Sequence, residues 1–70
     1  MQTFSLDGHP FIALNNLLKT EGLCETGGQA KNFIADGHVS VDGAVELRKT
    51  CKIKVGQVVE FQGTSIQVAE

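Results

Sequence analysis

The sequence predicts an α+β fold, two short helices packed on a small, mostly antiparallel sheet. Three observations predict it. Apolar residues recur at helical spacing over residues 11–18, a helix-start signal sits at Thr26, and apolar and polar positions alternate between glycine-containing turns over residues 39–68. Seventy residues make one domain, 1–70, with no room for a deep enclosed active site.

Residues 2–6 alternate, Phe4 and Leu6 against Thr3 and Ser5, as a half-buried strand does. Gly8 and Pro10 then punctuate the chain. Proline suits a first helical turn, where its missing N–H costs nothing. With Phe11, Leu14, Leu17 and Leu18 following at helical spacing, the first helix is expected from about Pro10 to Lys19, with Gly22 ending it. The second helix starts at Thr26, whose hydroxyl caps it while Gln29, three residues on, completes a capping box. Ala30, Phe33 and Ile34 form its apolar stripe and Gly37 stops it.

The remainder reads as strand. Val39 and Val41 alternate with Ser40, and Asp42-Gly43 supplies a hairpin turn that needs positive φ. Cys51, Ile53 and Val55 are expected on one side and Thr50, Lys52 and Lys54 on the other. Val59 and Phe61 pair in phase, Gln62-Gly63 turns, and Ile66 and Val68 close the sheet.

Charge is polarised along the chain. The net charge is −2, yet Arg48, Lys49, Lys52 and Lys54 fall within seven residues that hold no acid. Residues 1–47 carry six acids against Lys19 and Lys31, and residues 55–70 add only Glu60 and Glu70. A concentrated patch of this kind faces polyanions even on an acidic chain. Trp and Tyr are absent and only four Phe are present, which leaves no platform for stacking splayed bases. Cys24, Cys51, His9 and His38 lack ligand spacing, so no metal site and no cofactor are expected. No nucleophile–base signature or phosphate loop of the nucleotide-hydrolase type occurs, which argues against catalysis. With no signal peptide or membrane-length apolar run, the expectation is a cytoplasmic protein with two buried, inert, free thiols and no membrane contact.

Leu14, Leu18, Gly22-Leu23, Thr26, Ala30, Ile34, Gly37-His38-Val39, Val41, Asp42-Gly43 and Val55-Gly56 form an ordered set over about residues 11–61. This set resembles the S-four RNA-binding domain, or alpha-L motif, shared by a small-subunit ribosomal protein, bacterial tyrosyl-tRNA synthetases and many pseudouridine synthases. Thr26-Gly27-Gly28-Gln29-Ala30-Lys31 with Glu46-Leu47-Arg48-Lys49 is similar to a stand-alone bacterial branch. The resemblance implies a non-catalytic module for structured RNA of the ribosomal or tRNA type. Departures matter too. The family commonly starts its second helix with Ser-Arg, where this chain has Thr26-Gly27, and Gln57 stands where the family often has aspartate.

The candidate RNA-binding residues follow. Thr26, Gly28 and Gln29 mark a helix start whose free N–H groups and dipole attract phosphate; the same residues also read as a plain stability cap. Lys31 is a candidate because the family places a basic residue there, and His38 because it follows Gly37 beside the expected interface. Arg48, Lys49, Lys52 and Lys54 supply the charge. The bland reading of the lysines is an edge strand blunted against aggregation. The expectation is a monomer that recognises RNA backbone and shape. Its rival is an adaptor docking on a ribosomal or RNA-processing protein through its acidic side.

Overall fold

A computed structural model describes residues 1–70. The chain runs β1 (Gln2–Ser5), β2 (Ile12–Ala13), α1 (Leu14–Thr20), α2 (Gly27–Ala35), β3 (Val39–Val41), β4 (Ala44–Val45), β5 (Lys52–Ile53), β6 (Val58–Phe61) and β7 (Thr64–Ala69). Five strands form one sheet in the order β1-β7-β6-β3-β4, and β2 and β5 pair separately. Only β1 and β7 run parallel. The α+β class and the mostly antiparallel sheet agree with the sequence.

The first helix is shorter than its periodicity suggests. Residues 10–13 are not helical, because Ile12 pairs with Ile53 and Ala13 with Lys52 in an antiparallel register. Helix α1 therefore starts at Leu14, with Ala13 extended at its N-cap and no side-chain cap. Its first free N–H groups find a different partner. Leu14 N–H donates to the Cys51 carbonyl at 2.9 Å, and Asn15 N–H to the Lys49 carbonyl at 3.2 Å. A helix start left unpaired would cost desolvation, so these two bonds fix the loop before β5 onto α1.

Both helices end as expected. Gly22 takes φ +78° while its N–H reaches the Lys19 carbonyl and Leu23 N–H reaches that of Leu18. Gly37, at φ +82°, repeats the arrangement with Ile34, and His38 N–H donates to Phe33. These are Schellman ends, in which glycine adopts the left-handed conformation without steric cost. At the start of α2, Gln29 N–H donates to Thr26 Oγ1 at 3.0 Å. The return bond of the capping box is displaced by one residue, since Gln29 Oε1 accepts from Glu25 N–H rather than from Thr26.

Asp42-Gly43 and Gln62-Gly63 turn with positive φ at both positions, as two-residue hairpins require. Asp42 goes further. Its N–H donates to the Val58 carbonyl and its Oδ1 accepts from Val58 N–H, which locks the hairpin to β6.

The core lies between the helices and the sheet. Leu14, Leu17, Leu18, Ile34, Ile53 and Ile66 are fully buried, joined by Val39, Val59 and Val68. Each such side chain contributes roughly 1.5–3 kcal/mol relative to exposure. Two expectations fail at the edge of this core. Val55 is half exposed instead of following Ile53 inward, because β5 ends at Ile53 and the chain turns at Val55-Gly56. Cys51 is only half-buried, since it precedes β5 at the rim, while Cys24 is buried.

Candidate nucleic-acid interface

The basic loop is built by its backbone. Cys51 N–H donates to the Arg48 carbonyl and closes a turn over residues 48–51, and the carbonyls of Lys49 and Cys51 accept from the N–H groups at the α1 start. Four side chains are thereby held outward: Arg48, Lys49, Lys52 and Lys54 are all exposed. Arg48, Lys52 and Lys54 line one shallow depression together with Thr50 and Cys51. Lys52 also places its ammonium 5.0 Å from the centre of the Phe11 ring, a cation–π contact that holds its stem on the protein surface.

Lys49 does not line that depression, and its carbonyl accepts from Asn15 N–H. Asn15 in turn lies beside the start of α2, with its Nδ2 3.7 Å from the point where a Gly27 side chain would begin. Asn15 thus bridges the basic loop and the second helix. Its Oδ1 is buried without a hydrogen-bond partner.

Thr26, Gly28 and Gln29 are exposed at that helix start. The Thr26 hydroxyl and the Gln29 amide oxygen are both engaged in the cap, so the contribution these residues offer a ligand is backbone N–H and dipole. Lys31 is exposed on the same helix but does not line the depression of the basic loop. His38 stands at the junction of α2 and β3 with its ring edge-on to Phe33, centroids 5.9 Å apart, and it too lies outside that depression.

Glu46 is the residue that segment-by-segment charge counting misses. Its carboxylate accepts from Arg48 Nε and Nη2, both at 3.0 Å, and from the Arg48 backbone N–H. The run from 48 to 54 is therefore not free of acid in space. These Arg48 hydrogen bonds, side chain first and then backbone, hold the Glu46 carboxyl down at about 2. The same pair raises the Arg48 guanidinium above its already high value. Burial, followed by the Glu46 charge, pushes the Cys51 thiol up, and burial alone does so for Cys24. Both sulfurs are neutral thiols at pH 7, and neither belongs to a group able to hold a metal ion. No helix is long and apolar enough to cross a membrane.

Comparison with known proteins bears on the fold and the family. The sequence pattern of the S4 domain matches residues 4–69. YbcJ of Escherichia coli (strain K12) is 60% identical over 68 residues, which cover 97% of each chain. The solution structure of E. coli YbcJ, described as containing an alpha-L motif involved in RNA binding, superposes with a TM-score of 0.77. That match has 58% identity and covers all of this chain and 89% of the other. The small ribosomal subunit protein uS4 of Streptococcus suis (strain 05ZYH33) is 36% identical over 55 residues, 79% of this chain but 27% of uS4.

Proposed function

The chain belongs to the S4 domain family, and from that premise we propose that it is a non-catalytic, monomeric, cytoplasmic RNA-binding module for structured RNA of the ribosomal or tRNA type. The observation that carries the reading is the gathering of Arg48, Lys52 and Lys54 around one exposed depression. Lys49 flanks the same loop, and Asn15 links that loop to the start of α2. The α2 start, with Thr26, Gly28 and Gln29, offers backbone donors to a phosphate, while Lys31 and His38 would extend the footprint along the helix. A phosphate backbone following this surface meets cations and free N–H groups in succession. Base readout is minor, because a rigid basic surface without an aromatic platform reads shape and backbone.

An Arg48→Glu, Lys49→Glu double variant tests the reading against a hairpin RNA. The variant is expected to keep the parent's circular dichroism spectrum and lose most of its affinity. A folded variant that binds the hairpin as well as the parent overturns the reading.

One observation favours the adaptor alternative. Glu46 neutralises Arg48, which leaves the surface with less free charge than the sequence suggests. Partners from a cell extract that survive nuclease treatment and moderate salt would support it.

A further inference from the structure

Glu46 and Arg48 are two residues apart in the segment that follows β4, and their side chains meet, with Arg48 Nε 3.0 Å from Glu46 Oε2. The carboxylate is tucked beneath the guanidinium: the Glu46 side chain is 17% exposed and that of Arg48 77%. Three donors of Arg48 fix the carboxylate, namely its backbone N–H, Nε–H and one Nη2–H. The Cys51 thiol adds a fourth contact at 3.5 Å, and its sulfur sits 3.5 Å from Nη2. A guanidinium carries five donors in a rigid plane. With Nε and Nη2 taken, Nη1 is the nitrogen left without a protein partner, and it belongs to a group that is mostly in solvent.

Two effects of such an acid oppose each other. Its negative charge repels a phosphate arriving at Arg48. Its fork also removes the rotameric freedom that a long side chain would otherwise lose on binding, and this loss is a substantial cost of any interface. The carboxylate is held by the Arg48 backbone N–H and the Cys51 thiol as well as by the guanidinium, so the geometry favours a phosphate that joins the pair over one that replaces the carboxylate. The exchange of one anion for another is therefore not the mechanism the geometry supports.

We infer that Glu46 is a positioning residue for RNA: it locks Arg48 from beneath so that the free Nη1 edge faces an incoming phosphate, and the stiffness gained outweighs the charge lost. The inference rests on the RNA-binding reading and sharpens it, since it assigns an acidic residue a favourable role on a phosphate-binding face. It explains why a basic loop retains an acid in direct contact with its single arginine.

The sign of the effect makes it testable. Glu46→Gln reduces the net negative charge, and Glu46→Asp keeps the charge but shortens the reach of the fork. Both variants are expected to bind a hairpin RNA about two- to tenfold more weakly than the parent, the range set by ordering one flexible side chain. In an Arg48→Ala background, Glu46→Gln is expected to bind more tightly than Arg48→Ala alone, because only the repulsion is then removed. The Arg48 Nε–H resonance is expected to exchange slowly in the parent, where it donates to Glu46, and faster in both single variants. Equal or tighter RNA binding by Glu46→Gln, with the parent still binding, overturns the inference and leaves the RNA-binding reading standing. A parent that binds no hairpin RNA overturns both.

Discussion

The backbone N–H of Asn15 donates to the carbonyl of Lys49 at 3.2 Å, joining the first turn of α1 to the loop that carries the basic side chains. These residues are far apart in sequence, and neither side chain takes part in the bond. The loop is consequently a fixed part of the fold, positioned by the need of a helix start for acceptors. Asn15 also touches the Gly27 position, so two pieces of the proposed interface share one buried residue.

The Gly27 position invites a gain of function. A side chain begun there meets Asn15 Nδ2 at 3.7 Å, an ordinary contact, and the backbone is helical. Gly27→Arg restores the basic residue common in the family and is expected to tighten hairpin RNA binding. It is also expected to steepen the log–log salt dependence by roughly 0.7–0.9 for one added phosphate contact. Unchanged affinity and slope would show that phosphate does not approach this end of α2.

Within the cap of α2, the Thr26 hydroxyl is the side-chain acceptor for a helix N–H. Thr26→Ala removes the acceptor for Gln29 N–H and is expected to cost about 1 kcal/mol in urea unfolding. Thr26→Ser is expected to retain nearly all of it. Equal losses in the two variants would assign the effect to the methyl group instead.

Stability in acid follows from Glu46. Its folded-state value is about 2 against an ordinary 4.5, so it is depressed by folding. Its stabilising contribution is present above about pH 4.5 and is lost as pH falls toward 2. Unfolding by urea at pH 7 and at pH 3 is expected to show a smaller difference for Glu46→Gln than for the parent. Identical differences would mean that the Arg48 pair gives the folded state no net advantage.

The two thiols separate by burial. Cys24 is 4% exposed and Cys51 is half-buried at the loop. An aromatic disulfide reagent is expected to modify native Cys51 first and Cys24 only under denaturant, both more slowly than a free thiol because both are held protonated. Cys51→Ser is expected to abolish the faster phase; retention of that phase would place the accessible thiol at Cys24.

Much of this fold is legible because its signals are local. Thr26 and Gln29 cap a helix three residues apart, and Gly22 and Gly37 end helices through their own φ. The pairing of Ile12 with Ile53 is different. Phe11 and Leu14 mimic a helical stripe, and only contact with a distant segment pulls residues 12–13 into a strand. The site divides in the same way. The basic residues are evident in the sequence, whereas Asn15 is an ordinary helix residue until folding buries it. Glu46 was within reach of sequence reasoning, since it lies only two residues from the single arginine, close enough for carboxylate and guanidinium to pair. Dividing the charge between Leu47 and Arg48 separates the one pair that belongs together.

The salt dependence of hairpin RNA binding tests the central claim most directly. Contacts from Arg48, Lys49, Lys52 and Lys54 predict that log K falls against log salt with a slope of about −3. They also predict that Lys49→Glu and Lys52→Glu each weaken binding and flatten that slope. A parent slope near zero, or full binding by a folded Lys49→Glu, Lys52→Glu protein, would contradict the account.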